Sequence, residues 1–165
     1  MAITIDATVG GASANSYRTL ADTLTYFEGR LNATGFTGAT ADNQNRALVQ
    51  AARRMDQLPW VSQKAASTQA LSWPRWDAVD EDGNSVSSDT IPVSIKDGQC
   101  ELALYMLNKD LLADTGLEGF ANVKVGPIDV TPRHATKAGK LPENVYREIK
   151  HYLGTGRGQV RLRKA

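Results

Sequence analysis

The chain has 165 residues, of which 41% are apolar and 22% charged, and a formal net charge of +1. That length supports one domain with an accessory segment, and a core large enough to stand without metals or disulfides. The single cysteine, Cys100, excludes an internal disulfide framework.

The small net charge conceals a split. Residues 1–132 carry ten Lys/Arg and sixteen Asp/Glu, a net of −6, whereas residues 133–165 carry nine Lys/Arg and two Asp/Glu, a net of +7. An acidic body with a basic end directs that end toward something negative: nucleic acid, a membrane surface or an acidic protein face. Met1 to Asp6 has no basic stretch followed by an apolar one, so no secretory signal is expected there. The longest apolar run, Leu102 to Leu107, is far short of the ~20 residues a membrane helix requires.

Taken in order, Ile3 to Val9 reads as a short strand or extended arm before the Gly10-Gly11 break. Thr19 is placed to cap a helix whose first turn holds Asp22, with Leu20, Leu24, Phe27 and Leu31 on one face. Gly35 to Gly38 closes that unit. A second helix is expected from about Ala41 to Gln57, lined by Ala47, Leu48, Ala51, Ala52, Met55 and Leu58, and stopped by Pro59. Trp60, Trp73 and Trp76 then fall close together around Gln69-Ala70-Leu71-Ser72-Trp73-Pro74-Arg75. Asp80-Glu81-Asp82-Gly83-Asn84 reads as a hairpin turn flanked by short strands. Ile91-Pro92 opens a third helix predicted to reach Ala113, with Val93, Lys96, Cys100, Ala103, Leu104, Leu107 and Leu111 near one face. Ile95, Leu102 and Met106 widen the apolar band, as expected of a central helix buried on more than one side. Val123 to Val130 alternates like one or two strands, Pro132 to Gly139 reads as a linker, and Pro142 to Leu153 as a last short helix. A basic tail follows Gly154-Thr155-Gly156-Arg157-Gly158.

Parts for catalysis are scarce. His134 and His151 lie in no metal-ligand spacing, and one cysteine cannot complete a thiolate zinc site. Aligning Gly83 with the invariant glycine of a calcium loop puts Ala78 at the first ligand position, so that pattern fails. Gly154 to Gly158 lacks the strand and helix that aim amides at a phosphate. No serine is marked by an adjacent base. No catalytic residue, metal ligand or cofactor site is therefore expected. Cys100 reads as a buried small hydrophobe. The three tryptophans could stack on bases, but Lys64 and Arg75 are outnumbered by Asp77, Asp80, Glu81 and Asp82, which favours core or subunit-interface roles. In the tail, Val160-Arg161-Leu162-Arg163 alternates apolar and basic residues, a pattern suited to adding a strand to a partner's sheet edge.

Ordered segments from about residue 12 to residue 110 carry a resemblance. They are Ala14-Asn15-Ser16-Tyr17-Arg18-Thr19-Leu20-Ala21-Asp22 with Tyr26-Phe27, and Ala47-Leu48-Val49-Gln50-Ala51-Ala52-Arg53-Arg54-Met55-Asp56 with Trp60. Then come Gln69 to Arg75, the acidic turn, and Ile91-Pro92 leading to Glu101-Leu102-Ala103. This set resembles the tailed-phage head-tail connector or head-completion proteins, whose members often carry the description DnaT-like single-stranded-DNA-binding protein. The chain departs from that pattern at Trp76, where a small residue is usual.

The resemblance implies a non-enzymatic virion subunit, assembled in the host cytoplasm. It would form a homo-oligomeric ring matching a portal's twelvefold symmetry and extend the DNA channel. Its partners would be the portal protein, a downstream connector, stopper or tail-completion protein, and packaged DNA met nonspecifically, with no membrane. Arg157, Val160, Arg161, Leu162, Arg163 and Lys164 would anchor it on the portal, and Trp60, Trp73, Pro74, Arg75 and Trp76 would serve as structural or interface residues. The alternative is a single-stranded-DNA-binding replication accessory that uses the same basic end on phosphates. The expected architecture is mainly α: a small helical bundle with short β-hairpin or strand insertions and an extended C-terminal tail. It divides into a helical core domain at 1–132 and a linker, short helix and basic arm at 133–165.

Overall fold

The computed structural model describes residues 3–109, 123–125, 128–130 and 141–154. It is mainly helical, as the periodicity predicts. Helix α1 spans Leu20–Glu28. Thr19 lies in extended backbone, and its hydroxyl accepts from the Asp22 amide at 3.1 Å, satisfying one of the free donors of the first turn. The helix ends at Gly29, so Leu31 does not extend the apolar face as its spacing predicts; it is 86% exposed. Thr23 and Phe27 point inward instead, and Phe27 packs on Phe36 with ring centroids 4.7 Å apart. Phe36 belongs to α2, Thr34–Thr37, a single turn hidden in a glycine-rich stretch that reads as a stop.

Helix α3 runs Ala41–Asp56, capped by the Thr40 hydroxyl, and buries Ala47, Leu48, Ala51, Ala52 and Met55 on the expected face. Helix α4, Val93–Asn108, lies at the centre and packs against α1, α2, α3 and α5. Its buried set is Ile95 with a continuous stretch from Gly98 to Leu104, so it is indeed covered on more than one side. Its register differs from the expected face at the N-terminal end. Val93 is 65% exposed and Lys96 only half-buried, while Ile95 between them is the side chain of that turn that faces the core. The helix also stops before Ala113: Lys109 is extended at φ −146°, and Leu111 lies outside the described residues.

Helix α5, Glu143–Ile149, continues into a 3-10 turn at Lys150–Tyr152. The charge split groups this helix with the basic arm beyond residue 132. In the structure Val145, Ile149 and Tyr152 belong to the same hydrophobic core as α3 and α4. The contact with α4 is close. A Cβ placed at Gly98 would sit 2.7 Å from Ile149 Cγ2, nearer than real Cβ atoms approach. Gly98→Ala gains about 1 kcal/mol in helix propensity but forces overpacking that costs about 1–3 kcal/mol. A net loss of stability is expected, read as a lower urea midpoint; an unchanged or raised midpoint would contradict the close packing.

The strand expectations are met thinly. β1, Val123–Val125, pairs antiparallel with β2, Ile128–Val130, in the register Val123 to Val130. The acidic turn forms one bridge, Val79 to Ser85, rather than flanking strands. Asp80 organises it: its carboxylate accepts from the Asp82 amide at 3.0 Å and the Asn84 amide at 2.8 Å, while Gly83 takes φ +85°. These local side-chain bonds replace the ladder that longer strands would provide. Residues 3–8 form no strand and Val9 lies in a turn; Asn15 and Asn45 hold this arm through the carbonyls of Thr4 and Ile3 at 2.9 and 2.8 Å. No helix among the described residues is long and apolar enough to cross a membrane.

Candidate functional site

The tryptophan-rich segment between α3 and α4 is held by many side-chain hydrogen bonds to backbone carbonyls. Pro59 follows the end of α3, and the Trp60 indole N–H donates to the Met55 carbonyl at 2.9 Å, beside the Leu58 amide at 3.0 Å on the same oxygen. Trp73 is 1% exposed. Its ring meets Trp60 edge-on at 5.7 Å and Tyr152 at 5.1 Å, so it stands between the loop and the end of α5. The Trp73–Pro74 peptide is cis. Arg75 is 8% exposed and is held by carbonyl oxygens: Nε donates to Val61 at 2.6 Å, NH1 to Ser72 at 2.9 Å and NH2 to Ser62. Burial pushes its pKa down, because leaving water disfavours the charged form. Gln69 closes the loop from inside, donating to the carbonyls of Leu71 and Pro74 at 2.8 and 3.0 Å. Arg75 is therefore a structural clasp.

The segments that carry the sequence resemblance lock into one another. The Tyr17 hydroxyl donates to Asp56, whose same oxygen accepts from the Ser72 amide at 2.9 Å. Burial and the Asp56 charge both push the Tyr17 pKa up, keeping it a donor. Gln99, fully buried on α4, donates to Ser16 at 2.8 Å and to the Leu48 carbonyl at 2.9 Å, and accepts from the Tyr17 amide at 3.0 Å. Glu101 gathers Arg30 through two nitrogens, Tyr26 at 3.0 Å and Asn144 at 2.6 Å. Arg18 pairs with Asp97 at 2.8 Å and lies 5.3 Å from the centre of the Tyr26 ring. Cys100 is buried beside Thr23 and Arg18, as expected for an inert core thiol, and burial raises its pKa. Helical periodicity misses Gln99 and Glu101. A polar residue beside an apolar band reads as solvent-facing, and nothing local reveals its distant partner.

Two kinds of surface feature remain. Of the two roles expected for the tryptophans, core or subunit interface, Trp76 does not take the first. It is 52% exposed, yet its indole N–H donates to the Ala65 carbonyl at 2.8 Å. Leu31, Val93, Val9 and Tyr146 are the other large apolar side chains exposed among the described residues. Val9 and Val93 border an open groove of about 480 Å³ that also reaches Tyr26, Asp22 and Lys96. No group of three or more His, Cys, Asp or Glu that could hold a metal is found among the described residues.

The expected anchor, Arg157, Val160, Arg161, Leu162, Arg163 and Lys164, lies outside the described residues. Its point of departure is defined. Gly154 donates to the Pro59 carbonyl at 2.6 Å, Val61 donates to Tyr152 at 3.0 Å, and Trp60 bridges Leu153. Gly154, the last described residue, therefore lies against the start of the tryptophan segment.

A family model with the description "Putative DnaT-like ssDNA binding protein" matches residues 1–165. The chain matches no curated protein and no solved structure.

Proposed function

The chain belongs to the putative DnaT-like ssDNA binding protein family, and from that premise we propose that it binds single-stranded DNA, with its basic C-terminal region as the phosphate contact. The full-length family match carries this reading. The charge split supports the C-terminal region as the contact. The body is rich in carboxylates, and two of its cations are already engaged, the buried Arg75 by carbonyls and the half-buried Arg30 by Glu101. Residues 133–165 hold nine Lys/Arg against two Asp/Glu. Cations on a strand release condensed counterions, so affinity falls steeply with salt. No bond-making chemistry is assigned to the chain.

Removing residues 155–165 takes away Arg157, Arg161, Arg163 and Lys164 and leaves the last packed side chains, Tyr152 and Leu153, in place. The truncated chain is expected to keep its circular dichroism spectrum and lose more than tenfold in affinity for a fluorescein-labelled oligo(dT). Its salt slope should flatten by up to about 3, at roughly 0.7 per lost phosphate contact. If the full chain shows no saturable binding at about 100 mM salt, the reading fails.

A second reading is favoured by the exposed Leu31 and Val93, apolar side chains that suit contact with protein. On it the chain is a head-tail connector subunit of a tailed phage, ringed under the portal, with residues 157–164 anchored on the portal and a further connector or tail-completion protein below. Light scattering and electron microscopy of the purified chain with portal rings test it. A monomer that leaves the portal undecorated would exclude it.

A further inference from the structure

We propose that the groove between the N-terminal arm, α1 and α4 is a self-complementary face at which two copies of the chain meet about a two-fold axis. The inference depends on neither reading of the function. It concerns how the chain associates, and it names the residues that meet.

Three elements build this groove of about 480 Å³. The arm supplies Val9, α1 supplies Asp22 and Tyr26, and α4 supplies Val93 and Lys96. Val9 is 44% exposed and Val93 65%, so two of the five large apolar side chains exposed among the described residues border this one feature. Both are firmly presented. Val9 stands in a turn closed by the Gly11 amide on the Thr8 carbonyl at 3.0 Å, with Gly10 at φ +68°. Val93 opens α4 between Ile91 and Ile95, which are both buried in the core. Apolar side chains already held in place lose little freedom when a partner covers them.

The charges select the partner. Within the groove Arg18 is taken up by Asp97 at 2.8 Å, and the Tyr26 hydroxyl by Glu101 at 3.0 Å. Asp22 and Lys96 remain. Both line the groove, and neither is in an ion pair among the described residues. Two cations and two carboxylates therefore balance, and the groove offers a polyanion no net attraction. It suits a surface that carries apolar side chains, one anion and one cation, and the groove is itself such a surface. A two-fold contact requires that each residue meet its counterpart reciprocally. Face to face, Lys96 of one copy meets Asp22 of the other, and the reverse pair forms at the same time around Val9 and Val93 of both copies. The valines leave water together, and the paired charges fix the rotation. A patch the size of one groove is small for a protein interface, so the dimer is expected to be weak, half-associated between about 1 µM and 1 mM.

The test is sedimentation equilibrium of the full chain across that concentration range, with circular dichroism as a fold control. The wild type is expected to pass from the mass of one chain to that of two. Lys96→Glu replaces both cross-pairs by like charges and should weaken association about 5- to 30-fold, as should Asp22→Lys. The double variant Asp22→Lys/Lys96→Glu should recover most of the affinity, which a merely structural role for either residue would not produce. Val93→Ser removes the apolar contact from both copies and should weaken association about tenfold or more. A wild type that keeps the mass of one chain throughout would overturn the proposal. So would an assembly larger than two chains, a dimer unmoved by Val93→Ser, or a double variant as weak as the single ones. Should Asp22→Lys fail to fold, unchanged association in either Lys96→Glu or Val93→Ser overturns the proposal by itself.

Discussion

Trp73→Ala is expected to cost about 3–5 kcal/mol, the range for emptying an aromatic site in a packed core. Whole domains are stable by only about 5–15 kcal/mol, so the variant should unfold at a far lower urea concentration or fail to accumulate. Trp73 touches both Trp60 and Tyr152, so its loss opens a cavity where the middle segment meets the end of α5. Trp73→Phe separates packing from the ring nitrogen. That nitrogen is buried with no hydrogen-bond partner among the described residues, so the phenylalanine variant sheds a desolvation cost as well as some contact area. Its loss should be well under half that of alanine. Comparable losses in the two variants would mean that the indole's outer ring carries the contact.

Glu101→Ala is expected to cost about 3 kcal/mol, because it leaves Arg30 without its carboxylate and orphans Tyr26 and Asn144. The same group sets part of the pH profile. Burial pushes the Glu101 carboxyl up, but hydrogen bonds from Arg30 and Tyr26, the Arg30 charge and Asn144 outweigh it, and the net pKa is below the ordinary 4.5. A carboxylate with a lowered folded pKa contributes stability above its unfolded value and loses it as pH falls through the folded one. The wild type should therefore lose the Glu101 contribution as the pH drops below about 4.5, and Glu101→Ala should show a shallower acid limb. Asp6 and Asp80 are also held low, by hydrogen bonds from Thr8 and Ser13 and from Asn84. The comparison must therefore be the difference between wild type and variant denaturation curves across pH 2.5–7. Parallel acid limbs would show that Glu101 does not couple folding to protonation.

What could be read in advance followed the range of the interaction. Thr19 and Thr40 cap helices through atoms three residues away, and the alanine face of α3 repeats every turn, so local pattern suffices for both. Asp80 and Gly83 likewise build their turn from neighbours. Gln99 and Glu101 could not be placed this way, since their partners lie 51 to 83 residues off for Gln99 and 43 to 75 for Glu101. Charge alone does not reveal the packing of α5. Arg147 and Lys150 mark its exposed side and match the basic tail, while the three residues that fix it in the core are too few for a strong periodic signal. At the candidate site, the crowding of tryptophans was visible. Which one faces outward was not, because Trp60, Trp73 and Trp76 differ in environment rather than in chemistry.

The docking of α5 into the groove beside Gly98 also has a consequence in time. Ile149 and Val145 fill space against α4, and Tyr152 supports Trp73, so a nascent chain that has not yet delivered these residues cannot close its interior. At translation speeds of about 5–20 residues per second, the segment around Tyr17 waits roughly 7–27 s for Tyr152 to be made. During that interval Leu48, Trp73, Ile95 and Leu102 stay available to chaperones and to neighbouring chains on the same message. Completion of the core is therefore expected late in synthesis, and the yield should depend on what shields those side chains in the meantime.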